Sequence, residues 1–83
     1  MKYELTQHAR DVLTEREISV SWVERVLDAP ERTEPDPDYP ELEHHLGRIA
    51  ERDDRVLRVV YNKIVQPILE VTAYFDRTMR NKL

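Results

Sequence analysis

Four side chains in the last third of the sequence are the strongest candidates for chemistry. Arg58 lies in the segment RVLRVVYN, Tyr74 lies in the segment PILEVTAYF, and Arg77 and Arg80 follow within six residues of Tyr74. Guanidinium groups bind phosphodiester oxygens in pairs and stabilise the negative charge that develops during phosphodiester cleavage. A tyrosine stacks on a nucleobase or exchanges a proton. These residue types indicate a surface that binds or cleaves RNA.

Two β-strands must position these residues. Both segments are rich in β-branched and aromatic residues and are separated by KIVQ, which predicts an antiparallel hairpin. Alternation predicts one face with Leu57, Val59, Tyr61, Leu69, Val71, Ala73 and Phe75, turned towards helices. The other face would carry Arg58, Val60, Asn62, Glu70, Thr72 and Tyr74. The alternative to an RNA site is a solvated face on which Arg58 pairs with Glu70.

A third strand, EHHLGRIA, is predicted before the hairpin and is joined to it through the turn at residues 51–54. The sequence does not decide which residues of this strand face the helices, because His44, Leu46 and Arg48 alternate with His45, Gly47 and Ile49. If the first set faces away from the helices, Arg48 joins the basic surface.

The first thirty residues predict a short strand and two helices. Residues 2–5 can form the strand, and Thr6 is placed to cap a helix that runs to about Glu17. Ser19 can cap the second helix, with Ser21 and Glu24 as a competing capping box. The second helix carries a broad apolar stripe of Trp22, Val23, Val26 and Leu27, and Pro30 stops it near Ala29.

These elements form one α+β domain over residues 1–83. The order is β-α-α-β-β-β, with two N-terminal helices packed on one face of an antiparallel sheet. Residues 30–41, PERTEPDPDYPE, contain four of the five prolines and five acidic residues, which predicts an acidic loop. Such a loop is either an extended connection or an arm that contacts a basic partner or shields a basic site.

Charge is unevenly distributed along the chain. The net charge of −4 argues against nucleic acid, because phosphate binding depends on Lys and Arg releasing counterions. However, residues 1–41 hold 5 basic and 11 acidic side chains, whereas residues 42–83 hold 8 basic and 6 acidic. With Arg77, Arg80 and Lys82 against Asp76 alone, the C-terminal end is where we expect a polyanion to bind.

Several classes of protein are disfavoured by composition. Without cysteine the chain has no disulfide, zinc thiolate or thiol nucleophile, and its single glycine excludes a glycine-rich phosphate loop. His44 and His45 are neighbours whose side chains would point to opposite faces of a strand, so we expect no metal site and no cofactor. No long apolar run predicts a signal peptide or a membrane helix, which favours a cytoplasmic protein.

The N-terminal residues resemble a known family. His8-Ala9-Arg10, Leu13 and the run Arg16-Glu17-Ile18-Ser19, followed by the apolar residues of the second helix, are similar to the signature of small uncharacterised domains assigned to the RelE/ParE-like toxin superfamily. The strands VLRVVY and VTAYF resemble the last two strands of that family. The family usually has glycine where this chain has Glu17, so we expect the first helix to end by running directly into the Ser19 cap.

This resemblance implies a function that the residues alone do not fix. Known members of the superfamily include ribosome-dependent messenger RNA endonucleases, gyrase poisons and proteins without known activity. By position, Arg58, Tyr74 and Arg77 match the basic and tyrosine elements of the nucleases. His8 belongs to the signature, and we expect it to be either a packed, hydrogen-bonded side chain or a general acid or base.

Two functional hypotheses follow. In the first, a toxin-like endoribonuclease with an antitoxin partner binds RNA or the ribosome, with Arg58 and Arg77 on the scissile phosphate, Tyr74 stacking or moving a proton, and Arg48, Arg80 and Lys82 extending the RNA surface. In the second, the same scaffold is a non-catalytic module. It would use Trp22 and the acidic loop to bind a protein or a second copy of the chain.

Overall fold

A four-stranded antiparallel sheet carries two helices that precede it in the chain. The computed structural model describes residues 4–64, 68–69 and 71–83, with side chains described for 4–64 and 71–83. The elements are β1 (Glu4–Leu5), α1 (Gln7–Glu15), α2 (Val20–Asp28), β2 (Arg32–Pro35), β3 (Leu42–Ile49), β4 (Arg55–Asn62), β5 (Ile68–Leu69) and β6 (Val71–Phe75), with 3-10 turns at Ala50–Arg52 and Arg77–Met79.

The strand order in the large sheet is β2-β3-β4-β6, and every neighbouring pair is antiparallel. The short strands β1 and β5 pair separately and in parallel. The predicted α+β fold is therefore confirmed, with β3, β4 and β6 as the three predicted sheet strands. Leu69 and Glu70 were predicted to lie on opposite faces of the hairpin. Both positions lie outside the residues with described side chains.

The main core lies between the helices and one face of the sheet. Its strand residues include Ile49, Leu57, Val59, Val71 and Ala73, which confirms the predicted inward faces of β4 and β6. In β3, the residues that face the helices are His45, Gly47 and Ile49. A β-carbon on Gly47 would lie 3.2 Å from a methyl group of Val26, so glycine lets α2 approach the sheet closely.

A smaller core covers part of the opposite face. Leu46, Val56 and Met79 are buried there, and Leu83 packs against them. The C-terminal turn is thus held down by Met79, and the face that carries Arg58 is only partly open to solvent.

The predicted acidic loop contains a strand that the sequence analysis missed. Residues Arg32–Pro35 pair with β3, and Glu34 lies opposite His44. The prediction of a loop is wrong for these residues, because charged side chains and a proline are compatible with a short edge strand. Proline and charge therefore marked the edge of the sheet rather than a loop.

The end of α1 also differs from the prediction. Glu17 adopts a left-handed conformation with φ 57°, so the helix does not run directly into the Ser19 cap. The amide of Ile18 donates to the carbonyl of Leu13 at 2.9 Å, and the amide of Glu17 donates to that of Thr14 at 3.1 Å. This is the Schellman pattern, which closes a helix most easily with glycine. Thr6 and Ser19 cap α1 and α2 as predicted.

Within the described ranges, none of the helices has the length and apolar character that crossing a membrane requires.

The left-handed conformation of Glu17 predicts that glycine stabilises the protein at this position and destabilises it at a nearby helical position. We expect Glu17→Gly to raise the free energy of unfolding by up to about 1 kcal/mol, because the left-handed region costs roughly that much for a residue with a β-carbon. Glu15→Gly, two residues earlier and at the last residue of α1, should lower it by up to about 1 kcal/mol. Urea unfolding followed by Trp22 fluorescence measures both. A loss of stability in both variants would contradict the proposed cause.

Candidate nucleic-acid interface

A cavity with three arginines lies at one end of the sheet. Its volume is about 440 Å³, and its lining consists of Arg55, Val56, Phe75, Asp76, Arg77 and Arg80. Arg55 begins β4 and Phe75 ends β6, so the antiparallel register brings these two strand ends together. The 3-10 turn that follows β6 places Arg77 and Arg80 at the same cavity.

Asp76 fixes the turn that carries two of the arginines. Its carboxylate accepts hydrogen bonds from the amide of Thr78 at 3.0 Å and from the hydroxyl of Thr78 at 2.6 Å. This is a cap of the kind that starts a short helical turn. The pKa of Asp76 is lowered, first by the hydrogen bond from the Thr78 side chain and then by that from Arg58.

The cavity arginines are available to an anion. Among the residues that the structure describes, no carboxylate lies within ion-pair distance of Arg55, Arg77 or Arg80. The guanidinium carbon of Arg55 lies 4.6 Å from the centroid of the Phe75 ring, a cation–π contact that orients the side chain. Positive charge beside an aromatic ring suits a phosphate with an attached base.

The aromatic side of the cavity continues to α2. The Trp22 and Phe75 rings meet edge to face at 6.3 Å, and the guanidinium carbon of Arg52 lies 5.4 Å from the Trp22 centroid. Arg52 also donates to the carbonyl of Glu17 at 3.0 Å. Trp22 is half-buried and packs against the main core, so the ring predicted as a partner anchor serves the fold on at least one side.

Arg58, the predicted phosphate ligand, is bound inside the protein. Its side chain is 11% exposed. The Nε group donates to Asp76 at 2.8 Å, and Nη1 donates to Glu34 at 3.0 Å and to Nδ1 of His44 at 2.9 Å. A buried guanidinium requires such partners, because its desolvation is otherwise unfavourable. Arg58 is therefore next to the cavity, through Asp76, but does not line it.

The partners of Arg58 fix the tautomer of His44. A guanidinium has only donors, so Nδ1 of His44 accepts and Nε2 carries the proton. The Nε2–H group then donates to Asp36 at 2.7 Å. The pKa of Asp36 is lowered, chiefly by this hydrogen bond. Both ring nitrogens of His44 are thus engaged within the protein.

The second histidine lies on the other face, as predicted. His45 is buried, shares a 2.8 Å hydrogen bond with Glu43, and meets Tyr61 edge to face at 5.0 Å. Since the two rings point apart, they do not share a site. The described ranges contain no group of three or more histidine, aspartate or glutamate side chains that could hold a metal ion.

The remaining predicted residues are not all brought together. Arg48 is exposed and bound by Glu31, with Nη2 and Oε1 2.7 Å apart. Tyr74 is 41% exposed and lies directly opposite Arg58 across the β4–β6 pair. Lys82 is exposed in the C-terminal segment and does not line the cavity.

His8 is neither packed nor near the arginines. It is exposed on α1 and lines a separate cavity of about 450 Å³ with Thr6, Leu42, Val60, Val71 and Thr72. The expectation of a packed, hydrogen-bonded histidine is wrong, because Ala9 rather than His8 occupies the buried position of that turn. His8 and Arg77 therefore line different cavities.

Four lining residues of the cavity, Arg55, Val56, Phe75 and Asp76, were not predicted as site residues. Alternation assigns Phe75 to the core face, and Arg55 opens β4 without belonging to either predicted face. At a strand end, however, a side chain on either face can reach the rim of the sheet. The detectable signal was a pair of residues, Arg55 and Phe75, at the matching ends of an antiparallel hairpin.

The fold and cavity define a small α+β domain with an arginine-lined sheet end. The chain belongs to the DUF4258 family, a domain of unknown function, whose family model matches residues 5–75. No curated protein and no solved structure matches the chain. The family match covers the helices and the sheet but carries no link to the RelE/ParE-like superfamily.

The hydrogen bonds that Asp76 accepts from Thr78 and from Arg58 predict a pH-dependent stability. Because the pKa of Asp76 is lowered in the folded protein, its carboxylate stabilises the fold above the unfolded-state pKa of about 4, and this contribution is lost as the pH falls through the folded-state pKa. We expect Asp76→Asn to lower the free energy of unfolding by roughly 2 kcal/mol at pH 7. The deficit should shrink as the pH falls below about 4.

Urea unfolding between pH 7 and pH 3 measures this difference. Glu15→Gln is the control, since Glu15 is exposed and makes no ion pair with a described residue. A deficit of equal size at pH 7 and pH 3 would show that the charge of Asp76 is not what stabilises the turn.

Proposed function

We propose that this domain binds RNA through the cavity lined by Arg55, Arg77 and Arg80 and acts as a RelE/ParE-like, toxin-type component with an antitoxin partner. The observation that carries the proposal is the set of three arginines that lie beside an aromatic ring without a carboxylate partner in the described structure. Such a site combines the two features that bind single-stranded nucleic acid, namely backbone neutralisation and a stacking surface.

The proposed reaction is metal-independent cleavage of messenger RNA. The 2′-hydroxyl of the substrate loses its proton and attacks the adjacent phosphorus, the bond to the 5′-oxygen breaks, and that oxygen takes up a proton. Arginines at the cavity would stabilise the extra negative charge on the phosphate oxygens. Tyr74 is exposed beside this end of the sheet and would stack on a base or exchange one of the protons.

Arg58 has a different role in this proposal from the one expected. Its guanidinium is engaged with Asp76, and Asp76 caps the turn that carries Arg77. At the cavity Arg58 is therefore a positioning residue, while Arg77, Arg80 and Arg55 contact the scissile phosphate. His8 lies at a separate cavity and has no place in the reaction.

A charge reversal at the cavity tests RNA binding. We expect Arg77→Glu to weaken binding of a single-stranded RNA and to reduce the salt slope, log Kd against log salt, by about 0.7 for each lost phosphate contact. Arg10→Glu is the matched control, because Arg10 is exposed on α1 and away from the cavity lining. Equal losses of RNA affinity in both variants would show that binding depends on net charge alone and not on the cavity.

Removal of one hydroxyl tests catalysis. Tyr74→Phe keeps the ring, so loss of RNA cleavage with unchanged binding would assign proton transfer to Tyr74. If cleavage and binding both persist, the hydroxyl of Tyr74 takes no part in the reaction. Cleavage is measured on a labelled messenger RNA, with and without ribosomes, and growth of cells that express the chain without a partner provides the toxicity readout.

A second candidate is a non-catalytic module that binds a protein or a second copy of the chain. The observation in its favour is that Arg48 and Arg58, two of the residues predicted for RNA, are bound by carboxylates of the same chain. Tyr39, in the acidic segment, is 57% exposed and available to a partner. Harmless expression together with no RNA affinity at low salt would leave this candidate as the better account.

A further inference from the structure

Three acidic side chains from one short segment lie on the basic face of the sheet. Glu31 binds Arg48, Glu34 binds Arg58, and Asp36 binds His44. These three carboxylates are called the acidic strap below. They come from β2 and its two flanking ends, and each one engages a different side chain of the neighbouring strands β3 and β4.

The strap contacts have the geometry of anion recognition. Nε and Nη2 of Arg48 donate to Oε1 of Glu31 at 3.0 and 2.7 Å, and the Arg48 amide donates to Oε2 at 2.6 Å. The pKa of Glu31 is lowered, chiefly by the hydrogen bond from Arg48. Two guanidinium nitrogens and an amide that converge on two oxygens would bind a phosphate in the same way.

We propose that the acidic strap is an intramolecular competitor of RNA, and that Arg48 and Arg58 form a second phosphate-binding surface which the strap masks. This inference rests on the proposed function, because it extends the RNA surface from the open cavity along β3 and β4. The strap occupies the guanidinium groups in the absence of RNA. A polyanion that enters at the cavity replaces the strap carboxylates one by one.

The position of the strap makes such replacement feasible. β2 has four residues, pairs with β3 on one side only, and lies at the edge of the sheet. The Glu31 and Glu34 side chains are 35% and 30% exposed, in contrast to 11% for Asp76. The ion pair between Glu31 and Arg48 is solvent-accessible on both sides and contributes little to stability, so its exchange for a phosphate costs little. Asp76 would keep Arg58 in place while Glu34 is displaced.

Glu34 is shared between two arginines. Its Oε1 accepts a hydrogen bond from Arg58 at 3.0 Å, and its Oε2 forms an ion pair with Nε of Arg32 at 3.0 Å. Displacement of Glu34 by a phosphate therefore leaves this carboxylate with a partner on its own strand. The strap can release Arg58 without leaving an isolated charge.

The experiment compares two triple variants with the same net charge. Glu31→Gln, Glu34→Gln and Asp36→Asn together remove the strap charges, whereas Glu4→Gln, Glu15→Gln and Glu24→Gln together remove three carboxylates elsewhere. Binding of a labelled single-stranded RNA is measured over a range of salt concentrations. We expect the strap variant to bind at least about tenfold more tightly than the control variant, with a salt slope larger by about 1.4, for two more phosphate contacts.

Each result decides the inference. Equal affinity and equal slope in the two triple variants would reduce the effect to net charge and overturn it. If the triple strap variant does not fold, as judged by its thermal transition, Glu31→Gln alone is used. It frees Arg48 at the exposed end of the strap and should raise the slope by about 0.7. No increase in slope for this single variant would also overturn the inference.

The proposed function and the proposed role of the acidic strap are tested by different pairs of variants. Wild type against Arg77→Glu tests the open cavity, and the strap variant against its charge-matched control tests the masked surface. RNA binding that depends on Arg77 but is unaffected by the strap would retain the function and reject the strap. RNA binding by the strap variant alone would support the strap and replace the open cavity as the primary site.

Discussion

The rest of this structure depends on the hydrogen bonds and ion pairs of the Arg58 guanidinium. It lies on β4 at the centre of the sheet, and its partners belong to β2, β3 and the segment after β6. A charge that is largely removed from water needs carboxylates at hydrogen-bonding distance, and this requirement draws the edge strand and the C-terminal turn towards the same face. The basic cavity follows from that constraint, because Asp76 binds Arg58 with one oxygen and caps the turn of Arg77 with the other.

This arrangement explains how an acidic chain can present a basic site. The carboxylates are not spread evenly over the surface, since Glu31, Glu34, Asp36 and Asp76 are all engaged by basic side chains or histidine. Arg55, Arg77 and Arg80 lie outside this network in the described structure. Local field at a cavity depends on nearby charges rather than on the net charge, because salt screens interactions beyond about 10 Å. The net charge therefore understates the positive charge at the cavity.

The fold was largely predictable because its signals are local. Thr6, Ser19 and Pro30 mark helix boundaries, and the alternation of Leu57, Val59 and Tyr61 identifies the inward face of β4. The left-handed Glu17 was not predictable from propensity, since the Schellman hydrogen bonds and the buried Leu13 and Ile18 together impose a conformation that glutamate alone disfavours. β2 was missed for a similar reason, because a charged edge strand and a polar loop have the same composition.

The candidate site was less predictable than the fold, since a list of arginines does not show which of them are already bound. Arg58 and Arg77 look equivalent in the sequence, yet one is enclosed by three partners and the other lines an open cavity. Carboxylates brought in by β2 and by the C-terminal turn make this difference, and their positions depend on long-range pairing. The basic residues of this domain therefore fall into two groups: those bound by carboxylates of the same chain, such as Arg58, and those without a carboxylate partner among the described residues, such as Arg77. That distinction is set by the edge strand, the element that the sequence identified least well.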